Sequence, residues 1–355
     1  MRILLVRLRQ IGDVVFTTPA VRALRERFPD AHICYLVEPA AAPVVALNPH
    51  IDEVIVAPRV AGLRGFAADL ALGRRLRRAA YDLAIDFHGG PRASLLTWLS
   101  GARERIGYTI PGRSWMYTRR VRRSRELRPR HSVENQWDLL ESLGVPPADR
   151  SRFPVEMPVD PATAAAVRTR LERSGVPAPA PLIIVHVSAG NPFRRWPLDA
   201  FARLAAELVR GDPARRVIFT CGPSEREALD RVIAAARRDA GPDAAARVLD
   251  CGDFSLVELR ALVDGASLYI GGDSGPMHVA ATSRIPMVSL YGPTLPARSE
   301  PWRGGPSRAE AVETAGLECR PCDQRVCVHG DFRCLASIAP EAVVAAAERL
   351  LGQNG

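Results

Sequence analysis

Ile3-Leu4-Leu5-Val6-Arg7-Leu8-Arg9-Gln10-Ile11-Gly12-Asp13 opens the chain with an apolar run that gives way to a glycine and an acid. An apolar run stopped this soon by a glycine is the pattern of a strand buried on both faces and ending in a tight turn. Ala20, Val21, Leu24 and Phe28 then fall on one helical face, so the turn feeds a helix, with Thr18-Pro19 expected as its N-cap and first residue. Gly12 lets the backbone turn closely at the carboxyl end of the sheet, where α/β proteins bind ligands. One glycine does not make the three-glycine pyrophosphate loop of a dinucleotide fingerprint. Arginines scattered through residues 1–9 and the lack of a small-residue cleavage site argue against a signal peptide, so a cytoplasmic protein is expected.

The same strand–helix alternation runs outward from this start. Further strands are expected at 32–37, 53–57 and 83–87, with an arginine-rich helix over 73–80. Residues 101–129, rich in Gly, Pro, aromatics and Arg without periodicity, read as surface loops. A helix follows over 132–143, stopped by Gly144 and Pro146-Pro147. A second alternating set has helices at 161–174, at 198–210 and from about 224 and 276. Its strands are expected at 182–187, 216–221, 247–249, 268–270 and 286–290, with a last helix at 340–351 that could pack on either half. At 355 residues the chain exceeds one hydrophobic core. The expectation is an α/β protein of GT-B-like architecture, with two doubly wound Rossmann-like domains, 1–160 and 161–355, facing across a cleft that is the natural site.

Charge is unevenly placed. All 48 basic residues are arginines; residues 1–150 carry 24 of them against 15 acids, and residues 151–355 carry 24 against 24. The first half therefore suits a polyanion, whether nucleic acid, an anionic membrane or a phosphorylated glycolipid. The alternative is a solvated arginine-rich surface. No apolar run approaches the ~18 residues of a membrane helix.

Three strand-to-helix junctions carry chemistry. Asp13 projects from the first, where an acid is also the residue that caps a helix. Gly271-Gly272-Asp273-Ser274-Gly275-Pro276-Met277-His278 forms the second. Its glycines permit positive φ and close approach, the amides of 274–277 can converge on an anion, and His278 can reach the same anion. A structural turn with a capping Asp273 is the alternative. The third is Val187-Ser188-Ala189-Gly190-Asn191-Pro192-Phe193-Arg194-Arg195-Trp196-Pro197. Here Ser188 and nearby amides can hold phosphate oxygens and Arg194 supplies a fixed positive charge, whereas Arg195 reads as exposed and solvated.

Together, in this order, the three motifs resemble the ADP-heptose:lipopolysaccharide heptosyltransferases of glycosyltransferase family 9. The matching residues are Ile11-Gly12-Asp13 with Pro19-Ala20, Arg194-Arg195-Trp196-Pro197, Asp273-Ser274-Gly275-Pro276-Met277-His278 with Ala280-Ala281, and Tyr291-Gly292-Pro293-Thr294. The resemblance implies an inverting, metal-independent enzyme that moves a heptose from ADP-heptose to the Kdo or heptose of the lipopolysaccharide inner core. It would work at the cytosolic face of the inner membrane, in peripheral contact with it, on an acceptor of the Kdo-lipid A type.

The resemblance assigns Asp13 as general base and sets Arg194 where the family has a lysine at the donor phosphates. It puts Asp273 on the sugar hydroxyls, and Ser274, Gly275 and His278 near the diphosphate. Glu225 is its candidate for the nucleotide ribose. Domain closure would bring Asp13 and donor together. The basic first half then reads as an acceptor grip, with Arg64, Arg92, Arg113, Arg119, Arg120, Arg122 and Arg123 as candidates. No cofactor is expected for catalysis, since the chain has no Asp-x-Asp pair to hold a divalent cation.

Cys319, Cys322, Cys327 and Cys334 cluster within sixteen residues. They could hold a structural zinc, remain free thiols in a terminal hairpin, or form an oxidisable pair. Three other functions stay open at this point: a family-9 transferase with another nucleotide sugar or acceptor, a GT-B nucleotide-sugar epimerase, and a nucleic-acid binder. The epimerase would not need an electropositive acceptor face. The binder rests on charge alone, without interleaved aromatics or a recognition motif, so no nucleic acid is expected.

Overall fold

The computed structural model describes residues 1–122, 130–177, 180–187, 191–305, 308–322 and 324–352. Strands β1 (Arg2–Val6), β2 (His32–Val37), β3 (Glu53–Val56), β4 (Leu83–Asp86), β5 (Glu104–Tyr108) and β6 (Arg119–Val121) pair in the order β3-β2-β1-β4-β5-β6. Strands β7 (Leu182–His186), β8 (Arg216–Thr220), β9 (Val248–Leu249), β10 (Leu268–Gly272), β11 (Met287–Tyr291) and β12 (Ala309–Glu313) pair as β12-β11-β10-β7-β8-β9. All pairings are parallel. Counted from its own first strand, each sheet has the doubly wound order 3-2-1-4-5-6, and the protein has the GT-B fold.

That order decides where ligands go. Strand order reverses between β1 and β4 in one sheet and between β7 and β10 in the other. Crossovers leave such a point in opposite directions and open a crevice beyond the carboxyl ends of the two strands. Asp13 follows β1; Arg194 follows β7 and Asp273 follows β10.

The chain divides into two compact units, Met1–Pro158 with Trp302–Gly304, and Val159–Pro301 with Gly305–Gly355. Trp302–Gly304, placed by sequence in the second half, thus belongs to the first unit. Trp302 Nε1 donates to the Phe153 carbonyl at 2.9 Å, and Val155 N donates to the Trp302 carbonyl at 3.0 Å. Gly304 lies so close to this strap that a Cβ would stand 2.8 Å from the Arg150 carbonyl oxygen.

Burial explains the strands that were legible. β1, β2, β4, β7, β10 and β11 are buried along nearly their whole length, as parallel strands covered on both faces must be. The second unit's core closes when helices Leu198–Gly211, Arg226–Ala240 and Pro340–Gly352 cover that sheet through Leu204, Leu208, Val232, Ala236, Val343 and Ala347. The last helix therefore packs on the second unit. Among the described residues, no helix is long and apolar enough to cross a membrane.

Several expectations are corrected. Residues 101–129 are not all loop: β5 and β6 lie there and complete the first sheet, joined through a 3₁₀ turn at Ser114–Met116. The helix expected over 132–143 is Ser132–Trp137, followed by a separate 3₁₀ turn at Glu141–Leu143. The helix after the first turn starts at Thr18 with Thr17 in the N-cap position, one residue earlier than expected, and Thr18 instead donates its hydroxyl to the Val15 carbonyl.

Candidate active site

In the first unit, Asp13 lies inside the short helix Ile11–Val15, whose N-cap is Gln10. It therefore does not cap the helix. Its carboxylate instead forms a close ion pair with Arg7, which leaves β1 one residue after its end. Arg7 also donates Nη1 to the Phe87 carbonyl at 2.6 Å, so it bridges the carboxyl ends of β1 and β4. Asp13, its side chain 38% exposed, faces a cavity of about 280 Å³ lined also by Arg7, His88, Tyr108, Ser132, Asn135 and Gln136.

Beneath this cavity the turn after β4 is built on Asp86. One of its oxygens accepts from the amides of His88 and Gly89, both at 2.8 Å; the other accepts the Tyr117 hydroxyl at 2.6 Å. Burial pushes the Asp86 carboxyl up from its ordinary pKa, against the hydrogen bonds that favour its charged form. Arg7, His88 and this turn were not singled out in the sequence. The signal present was the Asp-Phe-His-Gly-Gly run just after a strand.

The second unit gathers the other motifs. Arg194 Nη1 lies 3.1 Å from Asp273 Oδ2 and donates to the Asp273 carbonyl oxygen at 3.1 Å. His278 Nε2 is 3.3 Å from Asp273 Oδ1, and the Thr294 hydroxyl donates to Oδ2 at 2.5 Å. Burial alone would raise the Asp273 carboxyl, but His278, Arg194 and Thr294 outweigh it and hold the carboxyl down at about 2. Asp273 is not a helix cap either, since Ser274 holds that position for helix Gly275–Ala280. The Ser274 hydroxyl is buried and has no hydrogen-bond partner among the described residues.

Two details of the second junction differ from expectation. Gly271, Gly272 and Gly275 do not occupy positive φ. Gly272 serves close approach, since a Cβ there would stand 3.3 Å from the Arg194 carbonyl oxygen. Pro276 has no N–H, so the amides available at this helix start are those of Ser274, Gly275 and Met277.

Glu225 stands at the N-cap of helix Arg226–Ala240, where it accepts from the Gly222 amide at 3.2 Å and pairs with Arg195 at 3.3 Å. Arg195 is thus partnered. Both line a cavity of about 420 Å³ with Val187, Trp196, Leu198 and Phe332. Ser188 lies outside the described residues.

The acceptor candidates scatter. Arg64 and Arg120 are exposed, on helix Gly62–Arg78 and on β6. Arg113 donates Nη2 to the Gly89 carbonyl at 3.3 Å, which brings it to the turn behind Asp13. Arg92 is committed internally, with Nε and Nη2 on Asp69, Nη1 on Glu38 and Nη2 also on the Pro58 carbonyl. Arg119 pairs with Glu104 at 2.8 Å, Arg122 is exposed, and Arg123 lies outside the described residues.

The four clustered cysteines are free thiols that line one apolar cavity of about 270 Å³ with Phe193, Val326, Val328, His329 and Phe332. Among the described residues, the group whose ligand atoms lie within 4.8 Å of one another is His32, Cys34 and Glu53, not these four.

An acid at the reversal of one sheet and an arginine–aspartate pair at the reversal of the other can be compared with known proteins. The family model of glycosyltransferase family 9 (heptosyltransferase) matches residues 70–332. The chain belongs to glycosyltransferase family 9. This family-9 chain is therefore an enzyme, a glycosyltransferase. It is 27% identical over 350 residues to lipopolysaccharide heptosyltransferase 3 of Escherichia coli K12, covering 98% of this chain and 97% of that one. It is 25% identical to lipopolysaccharide heptosyltransferase 2 of the same organism, covering 85% of each. The family-9 glycosyltransferase structure from Veillonella parvula superposes with a TM-score of 0.84 at 27% identity, over 99% of this chain and 97% of that one. The fold is shared with E. coli ADP-heptose lps heptosyltransferase II, at a TM-score of 0.81 and 22% identity over 100% and 99%.

Proposed function

We propose that this family-9 enzyme transfers a heptose from ADP-heptose to a Kdo or heptose of the lipopolysaccharide inner core, in one inverting step without a metal ion. The observation that carries the reading is the Arg194–Asp273 pair beside the unpartnered Ser274 hydroxyl. It joins a fixed cation, a carboxylate and an open donor at a sheet reversal, which suits a sugar diphosphate. Arg194 and the amides of Ser274, Gly275 and Met277 bind the diphosphate and stabilise the charge that develops as it leaves. Asp273 accepts a sugar hydroxyl at Oδ1, which makes no hydrogen bond among the described residues, whereas Oδ2 already takes Arg194 and Thr294. The cavity beside Glu225 takes the nucleoside, with Glu225 on the ribose.

Asp13 takes the proton of the acceptor hydroxyl as that oxygen attacks the anomeric carbon and the bond to the diphosphate breaks. Arg7 holds Asp13 in one orientation for this. A single displacement inverts the anomeric centre, and Arg194 supplies charge that a divalent cation would otherwise provide. The exposed arginines on β6 and around residue 64 draw in the anionic acceptor at the cytosolic face of the inner membrane. The relatives' names support the sugar and the acceptor; the charge asymmetry of the first half supports an anionic one. The test is transfer by purified enzyme from a panel of nucleotide sugars to a heptose-deficient lipopolysaccharide, with and without EDTA. A heptosylated product with EDTA present supports the reading. Transfer of another sugar alone, or loss of turnover on chelation, overturns it.

A further inference from the structure

Arg194 is held on two edges, and only one of them by a residue of the three sequence motifs. Its Nη1 is taken by Asp273, while its Nε donates to Gln324 Oε1 at 2.8 Å, a contact across 130 residues. The same Gln324 oxygen accepts from Asn191 Nδ2 at 2.7 Å, so it ties together both ends of the 3₁₀ turn Pro192–Arg194. With two edges fixed, Nη2 is left without a partner among the described residues and has one direction to point. A flexible arginine becomes a pre-set fork before any anion arrives.

Gln324 belongs to the Cys-rich segment, and that segment is built to present it. The residue sits at φ +61°, a left-handed conformation that its surroundings must hold. Its amide donates to Cys322 Sγ at 3.3 Å, and the Cys322 amide donates in turn to the Pro293 carbonyl at 3.0 Å. Arg320 reaches the other side of the site, donating Nη2 to the Thr294 carbonyl at 2.9 Å; the Thr294 hydroxyl holds Asp273. Phe332 packs edge-on against Phe193, with ring centroids 5.2 Å apart. One short segment thus braces both members of the Arg194–Asp273 pair.

We propose that Gln324 is a positioning residue of the donor site, fixing the Arg194 guanidinium on the diphosphate, and that the Cys-rich segment is the arm that carries it. This rests on the assignment of Arg194 to the donor phosphates. The experiment is a double-mutant cycle on the full chain, read as affinity for ADP and for AMP by calorimetry. Gln324→Met keeps the volume and removes the acceptor. It is expected to weaken ADP about tenfold, as loss of one hydrogen bond to a charged group does, and AMP less than twofold. In an Arg194→Ala background the same change should add nothing. Equal losses for ADP and AMP, or a full additional loss on top of Arg194→Ala, overturn the positioning role. If Arg194→Ala itself leaves ADP affinity unchanged, the donor-site reading fails instead. If Gln324→Met does not fold, Gln324→Asn tolerates the left-handed backbone, is one methylene too short to reach Arg194, and gives the same cycle.

Discussion

Arg194 meets Asp273 twice, at the carboxylate and at the backbone carbonyl, both at 3.1 Å. The arginine follows β7 and the aspartate follows β10, and these strands are neighbours only because the sheet order reverses there. With 3% of its side chain exposed, Asp273 is a buried charge that depends on its partners. Asp273→Ala leaves Arg194, His278 and Thr294 facing an empty position. We expect a loss of about 2–4 kcal/mol in urea unfolding and no detectable transfer. Asp273→Asn keeps the volume and the Thr294 contact and should cost less than half as much stability while still abolishing turnover.

Asp13 is expected to separate chemistry from donor binding. Asp13→Asn preserves shape and removes the proton acceptor, so kcat should fall by about 10²–10⁴, with ADP affinity in calorimetry within twofold of the parent. Arg7→Met frees the carboxylate to rotate, and its effect should be smaller, about tenfold in kcat, because the base is still present. An Asp13→Asn enzyme with near-normal kcat would remove the general-base assignment.

These two centres were unequally readable. The turn to Asp13 and the Asp273–His278 run were legible because buried parallel strands give continuous apolar runs, and the turns that carry these residues follow directly. β6 was hidden because it is an edge strand with two exposed arginines, Arg119 and Arg120, and only its ladder with β5 makes it a strand. Arg92 looked like a surface cation because Glu38 and Asp69 lie 54 and 23 residues away. Gln324 was invisible for the same reason. Gly272 was expected to allow positive φ or close approach; the structure has only the close approach, and the Arg194 carbonyl it makes room for lies 78 residues away in the sequence.

His186 should make the second unit acid-sensitive. It ends β7 fully enclosed, with Nδ1 2.9 Å from the Thr220 hydroxyl, and burial lowers its pKa to about 4. The unfolded chain takes up this proton near pH 6.5. Above that pH the imidazole is neutral in both states and contributes no pH dependence. As pH falls from about 6.5 to 4, the unfolded state binds the proton first and stability drops, by about 3 kcal/mol over the window. His186→Gln should flatten the urea-midpoint profile between these pH values; an unchanged slope would mean that other groups set it.

Arg92 and Arg120 share a residue type and a half of the chain, and their removal should give opposite signatures. The Arg92 guanidinium is 23% exposed and bound to Glu38 and Asp69, themselves 13% and 17% exposed. Arg92→Ala strands two half-buried carboxylates, so the expected result is a loss of about 2–4 kcal/mol in stability. Arg120 projects from the exposed edge strand. Arg120→Ala should change stability by less than about 0.5 kcal/mol but raise the apparent KM for a phosphorylated acceptor several-fold at low salt. That difference should shrink as ionic strength rises, because screening weakens the parent's attraction as well. If Arg120→Ala leaves the salt dependence of acceptor KM unchanged, β6 does not contribute to acceptor capture.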